Sequence, residues 1–231
     1  MADAAVSQPH DAIESVRITL TGHVQGVGFR PFVYRLANEN HLVGEVRNCL
    51  GEVEVIASGD PESLKQFETG LVSKAPPLSR PNITRVERIE PRHDDAFRIA
   101  SSSQDADAKI FVPPDYFMCE DCREELLDPQ DRRYRYPFIN CTQCGPRYTL
   151  IEALPYDRPN TSMAGFPLCE DCEREYLDPN DRRFHAEPVA CPACGPRLEW
   201  QESGTAVSVF ADDALARAVA VLRAGKVIGV K

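Results

Sequence analysis

The 231-residue chain contains no apolar run approaching the ~20 residues that span a bilayer. Its first 15 residues, MADAAVSQPHDAIES, are polar and hold no hydrophobic stretch of the kind a secretory signal requires. A membrane-spanning role is therefore excluded. A reducing, cytoplasmic setting is expected, where thiols bind metal rather than pair as disulfides. Basic residues are scarce: 26 Lys and Arg stand against 36 Asp and Glu, for a formal net charge of −10. Such a chain cannot neutralise a run of phosphates, so nucleic acid is not expected as a partner. The sequence also has no Ser-His-Asp arrangement, no Walker lysine and no carboxylate pair at a useful spacing. Those absences remove a covalent serine route, a P-loop nucleotide site and paired-acid hydrolysis.

What is abundant is patterned cysteine. Eight of the nine cysteines form four Cys-x-x-Cys pairs: Cys119/Cys122, Cys141/Cys144, Cys169/Cys172 and Cys191/Cys194. Two residues between cysteines let one tight turn aim both sulfurs at a single ion, and two such turns supply a tetrahedral zinc site. Each half reads Cys-x2-Cys-x18-Cys-x2-Cys, and the second lies 50 residues after the first without a gap. The repeat extends beyond cysteine. CEDCREELLDPQDR at 119–132 becomes CEDCEREYLDPNDR at 169–182, and both halves close on Cys-Gly-Pro-Arg. Two structural Zn2+ are expected, which would take the charge to about −14. The spacing does not decide whether the ligands pair within each half or across the two.

Hydrophobic periodicity gives mixed strand and helix signals over 15–100. Strands are expected at 16–23, 43–48, 52–57 and 83–89, with a short final strand at 97–100. A helix with the stripe Phe29, Phe32, Val33 and Leu36 is expected at 29–40. A second opens at Asp60-Pro61, an N-cap followed by proline at N1, and runs to about Leu71. The order is βαββαβ, an α+β chain of ferredoxin-like type. Residues 101–108 read as a linker, 109–150 and 151–200 as two small zinc modules, and 201–205 as a connector. An amphipathic helix is expected at 212–224 and an apolar strand at 226–230. Those last elements, 206–231, read as the start of a further domain.

Between the first strand and first helix lies Gly22-His-Val-Gln-Gly26-Val-Gly28-Phe-Arg30. Three glycines there let backbone amides point into one concavity, at the positive end of the helix dipole. Arg30 adds a planar fork of donors that matches phosphate oxygens. Glycines alone would equally suit a plain turn. The full string GHVQGVGFR, however, closely resembles the acylphosphatase signature, and Asn48 in Val46-Arg47-Asn48-x-x-Gly51 matches that family's second motif. The resemblance covers about 15–100. It implies that Gln25, Gly26, Val27, Gly28, Phe29 and Arg30 hold a phosphate, and that the Asn48 carboxamide orients the attacking water. His23 in the loop is not expected to act as a base. Cys49 reads as a packing residue.

An acylphosphatase-like domain followed by two C4 zinc modules also resembles the HypF-type carbamoyltransferases of [NiFe]-hydrogenase maturation. The run Asn140-Cys-Thr-Gln-Cys-Gly-Pro-Arg147 is close to that family, and 206–231 is similar to the opening of its YrdC-like nucleotide-binding domain. The resemblance implies carbamoyl phosphate as substrate, cleaved to carbamate and phosphate. It further implies ATP use only in downstream domains. The carbamoyl group would finally go to the C-terminal cysteine of a partner maturation protein. A chain stopping at Lys231 is expected to perform the first half-reaction alone. The competing reading is a non-catalytic zinc-ribbon interaction or nucleic-acid-binding protein on a degenerate acylphosphatase platform. The mixed segments Arg132-Arg133-Tyr134-Arg135-Tyr136 and Arg182-Arg183-Phe184-His185 could clamp single-stranded nucleic acid. The acids of Asp-x-x-Asp-Arg-Arg beside them favour ion pairs within each module instead.

Overall fold

The computed structural model describes residues 13–49, 51–102, 113–202 and 208–230. Most of the expected polar start and most of the 101–108 linker lie outside the described residues, as do Leu50, 203–207 and Lys231.

The first domain is built from β1 (Glu14–His23), α1 (Phe29–Glu39), β2 (Val43–Cys49), β3 (Glu52–Gly59), α2 (Pro61–Ser73), β4 (Arg80–Ile89) and β5 (Phe97–Ile99). One five-stranded sheet runs in the order β4-β1-β3-β2-β5. β1 is antiparallel to both β3 and β4, and β2 to β3, while the short β5 joins the far edge parallel to β2. Alternation along the strands turns Ile18, Leu20, Val46, Val53 and Val55 to one face, where the apolar stripes of α1 and α2 cover them. Phe29, Val33 and Leu36 come from α1, and Leu64, Phe67 and Leu71 from α2. Asp60 caps α2 as its sequence suggests, accepting from the amides of Glu62 and Ser63 at 3.1 and 3.0 Å. The strand and helix order expected from periodicity is thus observed, with β4 starting three residues earlier than expected.

Residues 113–202 hold the cysteine repeat. α3 (Glu120–Leu127) and α4 (Glu170–Leu177) each start immediately after a cysteine, with Cys119 and Cys169 as N-caps in the same extended conformation. Asp and Glu fill both first turns, where the helix dipole favours negative charge. A second, smaller core forms from Cys122, Cys141, Cys144, Tyr136, Ile139, Met163 and Ala190. The glycines after the last knuckle act differently in the two copies. Gly145 takes φ +92°, whereas Gly195 has no positive φ, and a side chain there would collide with the Tyr136 hydroxyl and Ala190.

Beyond Leu198 the chain forms a two-stranded ribbon, β6 (Glu199–Gln201) with β7 (Ser208–Phe210), and then α5 (Ala211–Arg223). The helix matches expectation. The strand expected at 226–230 is not formed: those residues lie outside any sheet, and Val227 and Val230 are exposed. A strand needs a neighbour to take its backbone hydrogen bonds, and none lies beside this segment among the described residues. No helix among the described residues is long and apolar enough to cross a membrane.

Candidate functional site: a phosphate-type cradle at the seam with two cysteine clusters

The four sulfurs of Cys119, Cys122, Cys141 and Cys144 gather in one cluster, and those of Cys169, Cys172, Cys191 and Cys194 in another, all within 4.8 Å of one another in each. The pairing therefore runs within each half and not across the repeat. In the first cluster sulfur–sulfur separations include 3.7, 3.8 and 3.5 Å. In the second they are 3.7, 3.7 and 3.6 Å. A tetrahedron with Zn–S of about 2.3 Å has edges of about 3.8 Å, so both thiol sets fit zinc and are far too wide for disulfides. The Gln143 amide points at Cys141 Sγ from 3.4 Å, a donor of the kind that steadies a thiolate.

The two clusters are cross-braced. Arg133 of the first half donates to both carboxylate oxygens of Glu175, to the Ala190 carbonyl at 2.8 Å and to Cys172 Sγ at 3.4 Å. Fifty residues on, Arg183 returns the arrangement, donating to Glu125 and to the Asn140 carbonyl at 3.0 Å. Arg132 reaches Cys172 Sγ at 3.3 Å and Arg182 reaches Cys122 Sγ at 3.1 Å. The expectation of ion pairs within each module is corrected here, because the pairs run between modules. The neighbouring aspartates are occupied otherwise: Asp131 and Asp181 each accept from a backbone amide two residues on, at 2.7 Å. The Arg133 and Arg132 guanidinium groups hold Glu175 well down, at about 2, against the cost of burial. Arg133 and Arg183 are buried at 1% and 3% exposure, so they offer no open clamp for single-stranded nucleic acid.

The glycine loop sits where α1 meets this region. Gly26 (φ +68°) and Gly28 (φ +72°) hold left-handed conformations, and Gly28 is the N-cap of α1. A side chain at Gly26 would lie 2.8 Å from Pro113 Cγ, so the loop is packed directly against the following region. The first amides of α1 lack intrahelical partners, as at any helix N-terminus. Arg30 and Asn48, 18 residues apart in sequence, both line one small cavity with Gln25, Gly26, Gly28 and Phe29. Val27 is fully buried beneath the loop, and Phe29 packs into the core. Gln25 ties the loop to the β2–β3 turn through bonds to the Cys49 and Glu52 carbonyls at 2.7 and 3.0 Å. Cys49 itself is buried, and burial pushes its thiol up, as suits a packing residue.

Several residues of this cavity were not foreseen. Tyr156, between the two cysteine modules, accepts from Asn48 Nδ2 at 3.3 Å through its carbonyl. That bond fixes the Asn48 amide so that its oxygen, buried and unpartnered among the described residues, is the free end. Asp157 and Glu187 each lie 2.7 Å from an Arg30 terminal nitrogen. Burial works against the Arg30 charge, but Glu187 and Asp157 outweigh it and the guanidinium stays firmly charged. Glu187 is pushed up by burial, opposed by Arg30. His185, in the same cavity wall, is pushed down to about 4 by burial and by Arg30, so it stands neutral there and away from both cysteine clusters. Arg147, from the first Cys-Gly-Pro-Arg, donates to the Gly26 carbonyl at 2.6 Å and to the Cys141 and Cys144 carbonyls at 2.9 and 3.0 Å. Its counterpart Arg197 is exposed. The cavity measures about 20 Å3 and is partly open to solvent.

Comparison with known proteins places these features. The acylphosphatase family matches residues 16–99, and the HypF finger family matches 118–151 and 168–201. Carbamoyltransferase HypF2 of Cupriavidus necator is 53% identical over 154 residues, 66% of this chain and 19% of that protein. An acylphosphatase of Staphylococcus aureus is 36% identical over 75 residues, 32% of this chain and 84% of that protein. A crystal structure of full-length HypF in the phosphate- and nucleotide-bound form superposes with a TM-score of 0.84 at 44% identity, over 93% of this chain and 28% of that one. The chain spans from 19% to 29% of the length of the carbamoyltransferases it matches.

Proposed function

We propose that this chain, which belongs to the HypF carbamoyltransferase family and carries an acylphosphatase domain and two zinc fingers, hydrolyses carbamoyl phosphate to carbamate and phosphate. The observation that carries the reading is the convergence of Arg30, the glycine loop and a fixed Asn48 carboxamide on one cavity. Loop amides and Arg30 take the phosphoryl oxygens and neutralise the charge that builds on them. The free Asn48 oxygen accepts from a water and aims its lone pair at phosphorus. Water attacks phosphorus, the bond from phosphorus to the carbamate oxygen breaks, and carbamate leaves as a resonance-stabilised anion. A mixed anhydride so activated needs neither a covalent intermediate nor a strong general acid. In the cavity wall His185 is neutral and Tyr156 is pushed up by burial, so neither is called on as a strong acid.

The fingers bind zinc, and the ligands would be Cys119/Cys122/Cys141/Cys144 in the first and Cys169/Cys172/Cys191/Cys194 in the second, with a structural role. In longer relatives the carbamate would pass to ATP-using chemistry and on to a cysteine of a partner maturation protein. Phosphate release from carbamoyl phosphate by the zinc-loaded chain, beside Arg30→Ala, tests the reading. Release is expected from the wild type and background from the variant, with zinc content unchanged in both. Equal rates would refute it.

A further inference from the structure

Arg30 is met by two carboxylates that come from outside its own domain. Asp157 Oδ1 lies 2.7 Å from NH1 and Glu187 Oε1 lies 2.7 Å from NH2. Around a phosphate site this is electrostatically adverse, because each carboxylate repels the incoming dianion. One explanation is a plug, with the acids standing where substrate oxygens would go and swinging out to admit them. The bonding of Glu187 argues otherwise. Its second oxygen accepts from the Arg158 amide at 2.9 Å and from the Tyr176 hydroxyl at 3.0 Å. The Arg158 side chain in turn donates to the Glu187, Val189 and Phe166 carbonyls at 2.6, 2.9 and 2.7 Å. A carboxylate tied on every side is a fixed part of the wall.

The donor count points the same way. A guanidinium carries five N–H groups. Three are directed at Asp157, Glu187 and the Tyr156 carbonyl, the last at 3.5 Å. The other two, Nε–H and one NH1 proton, remain for phosphate oxygens. A free arginine side chain carries rotamer entropy that binding would otherwise have to remove. The clamp removes it in advance.

We propose that Asp157 and Glu187 are positioning residues for Arg30, so that the phosphate site of the acylphosphatase domain is completed by the inter-finger segment and the second finger. This rests on the acyl phosphate reading given above. Asp157 is the cleaner probe, since its side chain is 21% exposed and it lies outside the finger match at 168–201. The test uses the zinc-loaded chain, inorganic phosphate binding by calorimetry, and kcat and KM for carbamoyl phosphate. Coulomb repulsion alone would make Asp157→Ala bind phosphate more tightly. The positioning role makes the opposite demand: Asp157→Ala weakens phosphate binding and raises KM by about tenfold, the scale of one lost charged hydrogen bond, and lowers kcat as well. Asp157→Asn, which keeps an acceptor for NH1 without the charge, restores most of both. Glu187→Ala, checked for zinc content and melting, should move phosphate affinity in the same direction. Tighter or unchanged phosphate binding in Asp157→Ala would overturn the proposal in favour of a plug or a bystander. A wild type that neither binds phosphate nor releases it from carbamoyl phosphate would instead overturn the underlying reading, and with it the proposal.

Discussion

The acylphosphatase domain and the finger region solve the same problem by different means. The first buries a continuous apolar core between one face of a sheet and two helices, with Ile18, Val33, Val55, Phe67 and Leu71 fully enclosed. The second has a small core in which three of the seven buried members are cysteines. What holds it are four arginines that cross from each finger to the other's helix and cysteines, and the zinc that its two cysteine clusters would bind. The sheet domain resists loss of any single contact through area. The finger region concentrates its stability in a few polar groups and fails if they go. Yet the cavity draws on both, since the sheet domain supplies Arg30 and Asn48 while the finger region supplies Tyr156, Asp157 and Glu187, which touch them.

Zinc removal should break this comparison most visibly. Metal binding in modules this small is folding free energy, on the order of 10 kcal/mol or more. A strong chelator is expected to abolish amide-exchange protection across 116–201 while β1–β4 stay protected. Loss of protection in both regions together would show that the sheet domain cannot stand alone. Elemental analysis before chelation should give two zinc per chain. Next comes the apolar core. Phe67→Ala leaves a cavity under α2 and should cost about 3–5 kcal/mol in the first transition, with zinc content unaltered. Smaller and more specific is the cross-brace. Arg133→Ala should cost about 3 kcal/mol and speed zinc loss from the second finger, Cys169/Cys172/Cys191/Cys194, although Arg133 belongs to the first. Arg183→Ala should mirror it at Cys119/Cys122/Cys141/Cys144. Zinc-release kinetics with a colorimetric chelator would read both, and acceleration confined to the variant's own finger would sink the account.

The same contrast governs what was legible in the sequence. The sheet domain could be read because period-2 and period-3.6 patterns carry burial locally, from Val16 to Ile99. The cysteine clusters could be read because their ligands lie in two short turns of fixed spacing. Sequence proximity pairs the arginine braces with the wrong acids. Asp131 and Asp181 are near in sequence, but they cap their own backbone turns, and the helix-borne Glu125 and Glu175 face across the module boundary instead. Asp157, Tyr156 and Glu187 had no signal at all. Each reaches Arg30 or Asn48 across 108 or more residues, through contacts set by domain packing and by no local period. In the sequence Arg147 stands out only as half of a repeated motif. Its divergence from Arg197 in burial becomes visible once the glycine loop is seen against it.

The most direct test of the central claim, a water placed by Asn48 on the phosphorus of an acyl phosphate gripped by Arg30, is isotopic. Carbamoyl phosphate would be turned over by the zinc-loaded chain in 18O-water and the released phosphate analysed by mass. Attack at phosphorus places a single solvent oxygen in each phosphate, and Asn48→Ala should lower that labelled flux by about 100-fold or more. Phosphate released without solvent oxygen would mean that the carbon–oxygen bond had broken instead, and would contradict the account.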